Sequence, residues 1–344
     1  MEGFTTNAQT LDVATSLPFR GYIRTNWSKD PFSCGSYSHI AKGSSFADVV
    51  TLGSPIGESI FFAGEAVNPN YQSTVHSAYE SGIITAEMIL AAGKKSVGIV
   101  GAGAAGLATA WRLHGAGVKV QVFEARDRIG GRIWSDRRLG PALDQGAAFV
   151  VGTQGNPLTE LADDVAAKRV AFGIDDAEDD VVLDRNGQEM LGKSRPDWLE
   201  EFILSNAMGT DYTNLNLEHI ENNQKNYFGS YGGGNVVLPN GYDQILGPLQ
   251  TGYDIKLNAI VKRIAYTDSG AEIELADKSS HRFDAVVITV PLGVLKAEKI
   301  AFYPALPKEK TDAIKRMGMG TVDKLFLMFD ERFWHDASWI FTPN

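Results

Sequence analysis

The stretch of residues 97–124 constrains the fold most, because an apolar run, a glycine-rich loop, a helical pattern and a second apolar run follow one another. The loop, residues 101–106, has the sequence Gly-Ala-Gly-Ala-Ala-Gly, which fits the pattern G-x-G-x-x-G. It follows the predicted strand Val97–Gly101 and opens the predicted helix Ala104–His114, and Lys119–Phe123 predicts the next strand. This order predicts a βαβ unit in a parallel, doubly wound α/β sheet.

The glycines and the following acid give this loop a predicted ligand. Gly101 makes the tight turn, Gly103 lets the backbone approach a pyrophosphate, and Gly106 lets the helix pack on the strand. Around Ala105, the helix N-terminus offers free N–H groups and partial positive charge. Glu124 ends the second strand, where a carboxylate can accept both ribose hydroxyls of an adenosine. The glycine pattern alone also suits plain helix packing, but the full set indicates dinucleotide binding, with NAD and FAD both still possible.

The continuation after the second strand distinguishes these cofactors. Residues 124–132 have the sequence Glu-Ala-Arg-Asp-Arg-Ile-Gly-Gly-Arg, which resembles the extended signature of the flavin-dependent amine oxidases and is foreign to NAD dehydrogenases. The resemblance implies FAD, with Glu124 on the ribose and Arg126 and Arg132 beside the cofactor and its phosphates. Residues 144–149, Asp-Gln-Gly-Ala-Ala-Phe, resemble the next element of the family, whose backbone lies along the flavin ring. In these two motifs the implied cofactor contacts also include Ala125, Gly131, Gly146, Ala147, Ala148 and Phe149.

Three later segments extend the resemblance. Leu257–Val261 resembles the strand that contacts adenine, with the match falling on Val261, and Thr289–Leu295 resembles a flavin-proximal segment that implicates Pro291. Arg316–Lys324, followed by a strand and Phe333–Trp334, resembles the branch of lysine-specific histone demethylases and polyamine oxidases. In that branch the lysine matching Lys324 holds a water beside flavin N5, which predicts a catalytic role, since a buried lysine is costly unless it is used.

The N-terminal part resembles pieces that occur late in the family. Residues 24–38, Arg-Thr-Asn-Trp-Ser-Lys-Asp-Pro-Phe-Ser-Cys-Gly-Ser-Tyr-Ser, resemble a segment that lines the flavin and the substrate pocket. The resemblance implies that Trp27 and Phe32 line the flavin and that Tyr37, the second predicted catalytic residue, forms one wall of an aromatic substrate cage. Aromatic faces suit an amine through π interactions and exclude water.

Two further N-terminal motifs resemble the closing motifs of the family. Phe61–Glu65 implicates Gly64, with Glu65 bonding the ribitol. In Thr74–Ala78, Thr74 and Val75 would begin a helix whose N-terminal dipole faces the flavin carbonyl at C2. The family usually has glycine where Ser77 stands, so the backbone approach is expected to differ there. His76 is predicted to be a structural neighbour rather than a base.

The inverted segment order leaves two alternatives. Either the chain is a circular permutant, in which residues 92–96 join neighbouring ends, or it is a slice of a tandem protein in which no copy holds a full site. The resemblance implies an α/β fold, with a Rossmann-like FAD-binding domain of the GR2 type and a shortened α+β substrate domain. The predicted division assigns residues 20–154 (the permuted segment 20–92 joined to 96–154) and 239–300 to the FAD-binding domain, and 155–238 and the truncated 301–344 to the substrate domain.

Local patterns predict further elements. Residues 1–20 are predicted to form a loose arm or a short helix, and residues 59–66 a buried strand that ends at a tight turn. Predicted helices span Thr74–Ala92 and Trp198–Ala207, and predicted strands span Ile255–Leu257, Val261–Tyr266, Ala271–Leu275, Phe283–Val290 and Lys324–Asp330.

Composition bounds the partners and the compartment. The net charge of −10 argues against a nucleic-acid partner and suits cationic substrates, although acidity also serves solubility. The single cysteine, Cys34, excludes an intramolecular disulfide, and an intracellular, cytoplasmic location without a membrane span is expected. Cys34 lies outside the motif of covalent flavin attachment, so the expected FAD is non-covalent. We also expect no metal, because no clustered His and Cys ligands occur.

The function implied by the resemblance is FAD-dependent oxidation of a small-molecule amine to an imine, with O2 reduced to H2O2. A polyamine or another alkyl amine is favoured over a histone tail, since no chromatin-binding addition is visible. Two alternatives stay open: a non-catalytic flavin-binding module with an incomplete substrate pocket, and an FAD oxidase of an amino acid or a carbocycle. Oligomeric state is not predicted.

Overall fold

A computed structural model describes residues 19–172, 181–183, 197–222, 231–332 and 340–341. Most of the predicted N-terminal arm and the Phe333–Trp334 match lie outside the described residues. The helices are α1 Phe46–Gly53, α2 Val75–Ala91, α3 Ala104–Gly115, α4 Pro157–Asp164, α5 Asp197–Met208, α6 Leu217–Asn222, α7 Leu292–Lys296 and α8 Lys308–Arg316.

The strands are short and numerous. In chain order they are β1 Phe19–Arg24, β2 Tyr37–His39, β3 Ile60–Phe62, β4 Ser96–Val100, β5 Lys119–Phe123, β6 Ser135–Asp136, β7 Leu143–Asp144, β8 Phe149–Val150, β9 Val170–Ala171, β10 Val181–Val182, β11 Val236–Val237, β12 Asp254–Lys256, β13 Val261–Thr267, β14 Gly270–Leu275, β15 Ser280–Phe283, β16 Ala285–Ile288, β17 Ala301–Tyr303, β18 Gly318–Gly320, β19 Leu325–Phe329 and β20 Ile340–Phe341.

A five-stranded parallel sheet forms the centre of the fold, in the order β12-β5-β4-β16-β3. The unit β4-α3-β5 confirms the predicted βαβ unit and the α/β class. Strand β3 comes from the N-terminal segment, yet it pairs with β16 beside β4. The N-terminal segment and the glycine-loop segment therefore share one sheet.

The two faces of this sheet are both covered, which explains the continuous apolar runs of its strands. Side chains alternate across a strand, so Val97 and Ile99 pack in one core cluster with residues of α2 and α3. Val286 and Ile288 pack in a second cluster with residues of β13 and β14. The core is thus two layers on either side of one sheet.

Helix α2 packs against α3 and leads directly into β4. A Cβ added at Gly82 would meet the Ala105 carbonyl oxygen at 2.3 Å, and Thr109 Oγ1 donates to the Gly82 carbonyl oxygen at 3.0 Å. The predicted helix Thr74–Ala92 is confirmed, with both end residues acting as caps. After it, Gly93 has a φ of +69° and β4 begins at Ser96, so the link at 92–96 is short.

One predicted strand is wrong. The apolar pattern predicts a single strand over Phe283–Val290, whereas β15 ends at Phe283 and β16 begins at Ala285 in a different sheet. Asp284 makes the switch: its N–H donates to Ser96 Oγ at 3.0 Å, and its carboxylate accepts the N–H groups of Lys95 and Ser96 at 2.8 and 2.9 Å. The other predicted strands and helices agree with the structure within one to two residues at most ends.

Smaller pairings tie the N-terminal segment to the C-terminal part. Strand β1 pairs antiparallel with β19, and β2 pairs antiparallel with β18. A second, four-stranded sheet has the order β15-β14-β13-β17. These pairings cross the predicted domain boundaries, and the division into domains, the GR2 type and the shortened substrate domain stay predictions.

Candidate functional site

The phosphate loop, residues 101–106, has the geometry that its glycines predict. Gly101 has a φ of +109°, a left-handed conformation that favours glycine. A Cβ added at Gly106 would meet the Gly101 carbonyl oxygen at 2.0 Å, so the helix can approach the turn only without a side chain. At Gly103, an added Cβ has one described neighbour, the Gly130 carbonyl oxygen at 3.9 Å. The backbone at Gly103 is therefore open to a ligand.

Glu124 joins this loop to the second strand. The residue is 5% exposed, and its carboxylate accepts the N–H of Ala102 at 2.8 Å and the N–H of Arg126 at 2.9 Å. A carboxylate offers about four lone-pair sites, so acceptor capacity is left for ribose hydroxyls. Ala259 donates its N–H to the Glu124 carbonyl oxygen at 2.8 Å, and Val261 begins β13 two residues later. The predicted ribose and adenine contacts thus lie side by side.

Arg126 connects the 124–132 motif to the N-terminal segment. It forms a two-point ion pair with Asp30, at 2.8 and 2.7 Å, and donates to Ser33 Oγ at 2.9 Å. Its guanidinium carbon lies 5.5 Å from the centre of the Phe32 ring. Burial alone would raise the pKa of Asp30, but the hydrogen bonds and charge of Arg126 hold that pKa below its ordinary value.

Arg132 makes a second connection of the same kind. It donates to the Glu65 carboxylate at 2.8 Å and to the Ser36 carbonyl oxygen at 2.9 Å. Glu65 is 5% exposed and also accepts from Ser38 Oγ at 2.6 Å, and Ser38 Oγ accepts from Gln72 Nε2 at 2.9 Å. The predicted phosphate-side arginine and the predicted ribitol-binding glutamate are therefore in direct contact.

Helix α2 begins where the Thr74 motif predicts. Thr74 Oγ1 accepts the N–H of Ser77 at 3.1 Å, and Val75 is the first helical residue. The Ser77 hydroxyl is fully buried and has no hydrogen-bond partner among the described residues. Ser81 Oγ accepts the N–H of Gly64 at 2.8 Å, which fixes the Gly64–Glu65 turn against the same helix.

Lys324 lies in a cluster that we name the lysine corner: Trp27, Asp144, Gly146 and Lys324. The Lys324 ammonium donates to the carbonyl oxygens of Asp144 at 2.9 Å and Gly146 at 2.7 Å. A Cβ added at Gly146 would meet Trp27 Cζ2 at 3.4 Å, and the Trp27 indole N–H donates to the Gln145 carbonyl oxygen at 3.2 Å. Burial lowers the pKa of Lys324, and the charge of Asp144 opposes that shift.

Tyr37 is half-buried in β2, opposite Gly320 of β18. Its hydroxyl donates to the Asn206 carbonyl oxygen of α5 at 3.0 Å, and burial raises the pKa of the phenol. The residue thus bridges the N-terminal segment and a helix of the predicted substrate domain.

Of the remaining residues predicted to contact the cofactor, some line one pocket and others lie elsewhere. Gly64, Glu65, Arg132 and Pro291 line one small pocket, with Pro291 capping α7. The Phe149 ring stacks on Phe172, with centroids 4.7 Å apart and the planes nearly parallel, and its predicted flavin contact stays a prediction. Ala147 donates its N–H to the Arg132 carbonyl oxygen at 3.2 Å and Ala148 is half-buried, whereas Gly131 and Ala125 belong to the turn and strand end beside the phosphate loop.

The site fits a bound FAD on three observations. The backbone at Gly103 is open, Glu124 keeps acceptor capacity, and two buried acceptors, Ser77 Oγ and Gln72 Oε1, have no partner in the described part of the chain. Buried polar groups are nearly always hydrogen-bonded in folded proteins. Six buried side-chain atoms of the described residues lack a partner, and these two lie in or next to a segment predicted to lie by the flavin, so they are compatible with a ligand there.

Comparison with known proteins gives the family. The sequence profile described as "Flavin containing amine oxidoreductase" matches residues 7–90, 104–204 and 189–343. The chain belongs to this family. The mouse lysine-specific histone demethylase 1B is 31% identical over 292 residues, which cover 70% of this chain and 35% of that protein.

Two further comparisons show similarity to a polyamine oxidase and to a solved putrescine oxidase structure. Rice polyamine oxidase 4 is 30% identical over 291 residues, covering 70% of this chain and 60% of that protein. A solved structure of a putrescine oxidase redesigned in its cofactor binding is 21% identical with a TM-score of 0.49, covering 64% of this chain and 62% of that one. The chain spans about a third of the demethylase and less than two thirds of the polyamine oxidase.

The sequence does not predict an aromatic cluster that the structure forms around Tyr71. Tyr71 stacks on Tyr231 with centroids 5.1 Å apart, and His76 contacts both rings edge-on at 5.0 and 5.4 Å. The Tyr231 hydroxyl donates to Glu80. The one sequence hint of this cluster is that Tyr71 lies just before the Thr74 motif. Tyr231 could not be linked to it, because it lies in a glycine-rich stretch 160 residues later in the sequence.

Two properties of the described residues concern membranes and metal ions. Within the described ranges, no helix is both long and apolar enough to cross a membrane. Over the same part of the chain, no group of three or more His, Cys, Asp or Glu side chains could hold a metal ion.

Proposed function

We propose that this amine oxidoreductase binds FAD non-covalently and oxidises a polyamine or another alkyl amine to an imine, with O2 reduced to H2O2. In this reaction the α-carbon of the neutral amine loses a hydride equivalent and the nitrogen loses a proton, and O2 takes up the two electrons and two protons. The proposal is supported by family membership and by the acidic net charge of −10, which suits a cationic substrate.

The residues would hold the cofactor along its length. The phosphate loop would accept the pyrophosphate at the α3 N-terminus, Glu124 would accept the ribose hydroxyls, and Arg132 with Glu65 would lie by the ribitol. When bound, FAD supplies a two-electron acceptor whose ring nitrogen can take the hydride equivalent.

The lysine corner would supply the protein's own chemistry. Two of the three Lys324 ammonium donors are used by the carbonyl oxygens of Asp144 and Gly146, which fix the side chain. The third donor would hold a water facing the substrate. Because burial lowers the pKa of Lys324, its ammonium releases a proton more readily than that of an exposed lysine and would pass a proton through that water.

The observation that carries the proposal is the contact between sequence-distant motifs. Arg126 pairs with Asp30, and Arg132 pairs with Glu65, so both motif arginines connect to the N-terminal segment. Trp27 of that segment lies in the lysine corner with Lys324, and Tyr37 pairs with Gly320 of the same C-terminal part. These contacts support the proposal that the N-terminal and C-terminal segments of one chain contribute to the same site.

The direct test is the visible spectrum of the purified protein reconstituted with FAD, followed by anaerobic addition of spermine, spermidine, a simple alkyl amine or a methyl-lysine peptide. We expect bound flavin absorbance that bleaches with a polyamine or alkyl amine and returns with peroxide when O2 is admitted. Bleaching only with the methyl-lysine peptide would replace the proposed substrate by the one that the demethylase relatives' names suggest. Bound flavin that no amine bleaches would contradict the enzymatic proposal and favour a binding module.

The Lys324→Met variant tests the role of the ammonium. We expect turnover to fall by on the order of 100-fold or more, which is the usual contribution of a positioned proton-transfer group. FAD binding should be kept, because Lys324 contacts only backbone carbonyls in the lysine corner. Normal turnover and normal reoxidation in this variant would remove Lys324 from the mechanism.

A further inference from the structure

Lys310 of α8 is a buried lysine that the proposed chemistry does not use. The residue is 3% exposed, and its ammonium donates to the carbonyl oxygens of Thr51 at 2.7 Å, Leu52 at 2.8 Å and Ser54 at 2.7 Å. These are the terminal carbonyls of α1, which otherwise lack helical partners. The same ammonium lies 4.2 Å from the centre of the Phe62 ring, close enough for a cation–π contact.

A second lysine makes the same kind of contact between α7 and α8. Lys296, at the end of α7, donates to the carbonyl oxygens of Ile314 at 3.0 Å, Lys315 at 2.9 Å and Met317 at 2.8 Å. These carbonyls end α8. Each ammonium therefore uses three donors on the negative end of a neighbouring helix, where a cation is favoured.

The three helices joined in this way carry or adjoin the flavin-site segments. Helix α7 begins directly after Pro291, and Phe62 ends β3 two residues before Gly64 and three before Glu65. After α8 the chain enters β18, whose pairing with β2 places Tyr37. Leu52 of α1 lines the same pocket as Gly64, Glu65 and Pro291, so all three helices adjoin residues of the proposed site.

Helix α1 is also held by α8 at its other end. Arg316 donates to the Asp48 carboxylate, with Nε at 3.0 Å, and Asp48 accepts the N–H of Ser45 at 3.0 Å in the capping box of α1. Lys310 of α8 binds the last turn of α1, and Arg316 of α8 binds its first turn. Together these contacts fix both the position and the tilt of α1.

We propose that Lys310 and Lys296 are positioning residues that lock α1, α8 and α7 together so that the Gly64–Glu65 turn and Pro291 reach the cofactor in one arrangement. The inference rests on the proposed function, because it names residues that prepare the proposed FAD site. Neither lysine is assigned a contact with FAD or substrate.

Physical chemistry favours a role in positioning the helices over a contribution to folding stability alone. Burial lowers the pKa of Lys310 to about 8, so its buried ammonium carries a desolvation cost. Lys296 is an exposed residue, and partial burial of its ammonium lowers its pKa in the same direction. Replacing buried charges by apolar side chains is often neutral or stabilising. What an apolar residue cannot reproduce is the direction of three hydrogen bonds onto one helix end, which determines where that helix lies.

The test uses Lys310→Met in the full chain, with Lys308→Met on the same helix as the matched control. Lys308 is solvent-exposed, and among the described residues its ammonium pairs with Asp312 one turn away. We expect the dissociation constant for FAD, measured by flavin fluorescence well below the melting temperature, to rise at least about tenfold in Lys310→Met, since a smaller population of site-competent molecules raises the apparent constant in proportion. The visible circular dichroism of bound FAD should change with it, and Lys308→Met should match the wild type in both.

Lys296→Met should shift the same two readouts in the same direction, and Lys310→Arg, which keeps the charge and its donors, should recover part of the affinity. The proposal is overturned if Lys310→Met lowers the melting temperature of the apoprotein while its FAD affinity and flavin dichroism stay at wild-type values, because Lys310 would then contribute stability alone. A wild-type protein that takes up no FAD would instead contradict the proposed function, so the two failures are distinguishable.

Discussion

The phosphate loop and the lysine corner are built in opposite ways. The phosphate loop is made of consecutive residues, and its shape comes from backbone: Gly101 turns, and Gly106 touches the Gly101 carbonyl oxygen. The lysine corner is made of residues from three distant segments, around Trp27, around Gly146 and at Lys324. Its parts are held by hydrogen bonds between segments rather than by local conformation.

This difference predicts different weaknesses. A locally built site fails when one residue no longer fits its own turn, and its neighbours in sequence cannot compensate. A site assembled from distant segments fails when the contacts between segments are lost, even if every residue around the substrate is intact. The ion pairs that Arg126 and Arg132 form with the N-terminal segment are two such contacts between distant segments, and we call them joints.

The largest effect is expected from breaking a joint with Arg132→Met. The substitution leaves the Glu65 carboxylate, which is 5% exposed, without its cationic partner. Removing one partner of a buried ion pair costs about 3–5 kcal/mol, because a buried charge is left uncompensated. Urea unfolding of the apoprotein should show this loss.

A double-mutant cycle sharpens that result. Adding Glu65→Gln to Arg132→Met should recover much of the stability, because the uncompensated charge is gone. The exposed pair Lys308–Asp312 serves as the comparison, and its Lys308→Met variant should be unchanged. Additive losses for Arg132→Met and Glu65→Gln would mean that the pair is not a joint at all.

The phosphate loop is broken by Gly106→Ala. The added methyl group would meet the Gly101 carbonyl oxygen at 2.0 Å, and backbone cannot yield as a flexible side chain can. We expect a loss near the upper end of overpacking effects, about 3 kcal/mol, together with loss of FAD binding. Thermal unfolding and FAD absorbance after gel filtration measure the two quantities.

Gly115→Ala is the matched control for this change. Gly115 ends the same helix, α3, and an added Cβ there has no described atom within 4 Å. Alanine should be neutral or stabilise the helix by up to about 1 kcal/mol. If Gly106→Ala behaved like Gly115→Ala, the loop would not be as tightly closed as the structure has it.

Prediction from sequence follows the same division. The elements of the phosphate loop could be predicted residue by residue, because strand, turn and helix signals are local. The break at Asp284 was not predictable, since the apolar pattern runs through it and only the bonds to Lys95 and Ser96 show the change of sheet. The pairing of Arg126 with Asp30 joins motifs 96 positions apart, and resemblance to the family indicated a shared site without indicating that contact.

A buried histidine of the N-terminal segment, His76, predicts that folding stability depends on pH. His76 is 1% exposed, and burial lowers its pKa to about 4 from the ordinary value of 6.5. Its folded-state pKa is depressed, so the unfolded chain binds the proton first as the pH falls. The stability that neutral His76 contributes is present above pH 6.5 and is lost progressively between pH 6.5 and about 4.

The His76→Phe variant isolates this contribution. Phenylalanine keeps an aromatic ring against Tyr71 and Tyr231 and does not titrate. Relative to its own value at pH 7, the variant should lose about 2 kcal/mol less than the wild type at pH 5, given about 1.4 kcal/mol per pKa unit. Denaturant unfolding across this range provides the measurement, and parallel curves for the two proteins would show that His76 accepts its proton inside the fold.

The smallest effect is expected at Tyr37, where the ring and the hydroxyl can be separated. Tyr37→Phe removes only the hydrogen bond to the Asn206 carbonyl oxygen and should cost about 1 kcal/mol in unfolding free energy. If Tyr37 acts as an aromatic wall for the substrate, KM for the amine should stay near the wild-type value in Tyr37→Phe and rise in Tyr37→Ala, which removes the ring. Tyr22→Phe, at a tyrosine that is 63% exposed, controls for loss of a phenol as such. A large fall in turnover with Tyr37→Phe would instead place the hydroxyl itself in the chemistry, and the joint between β2 and α5 would then be part of the reacting site rather than its support.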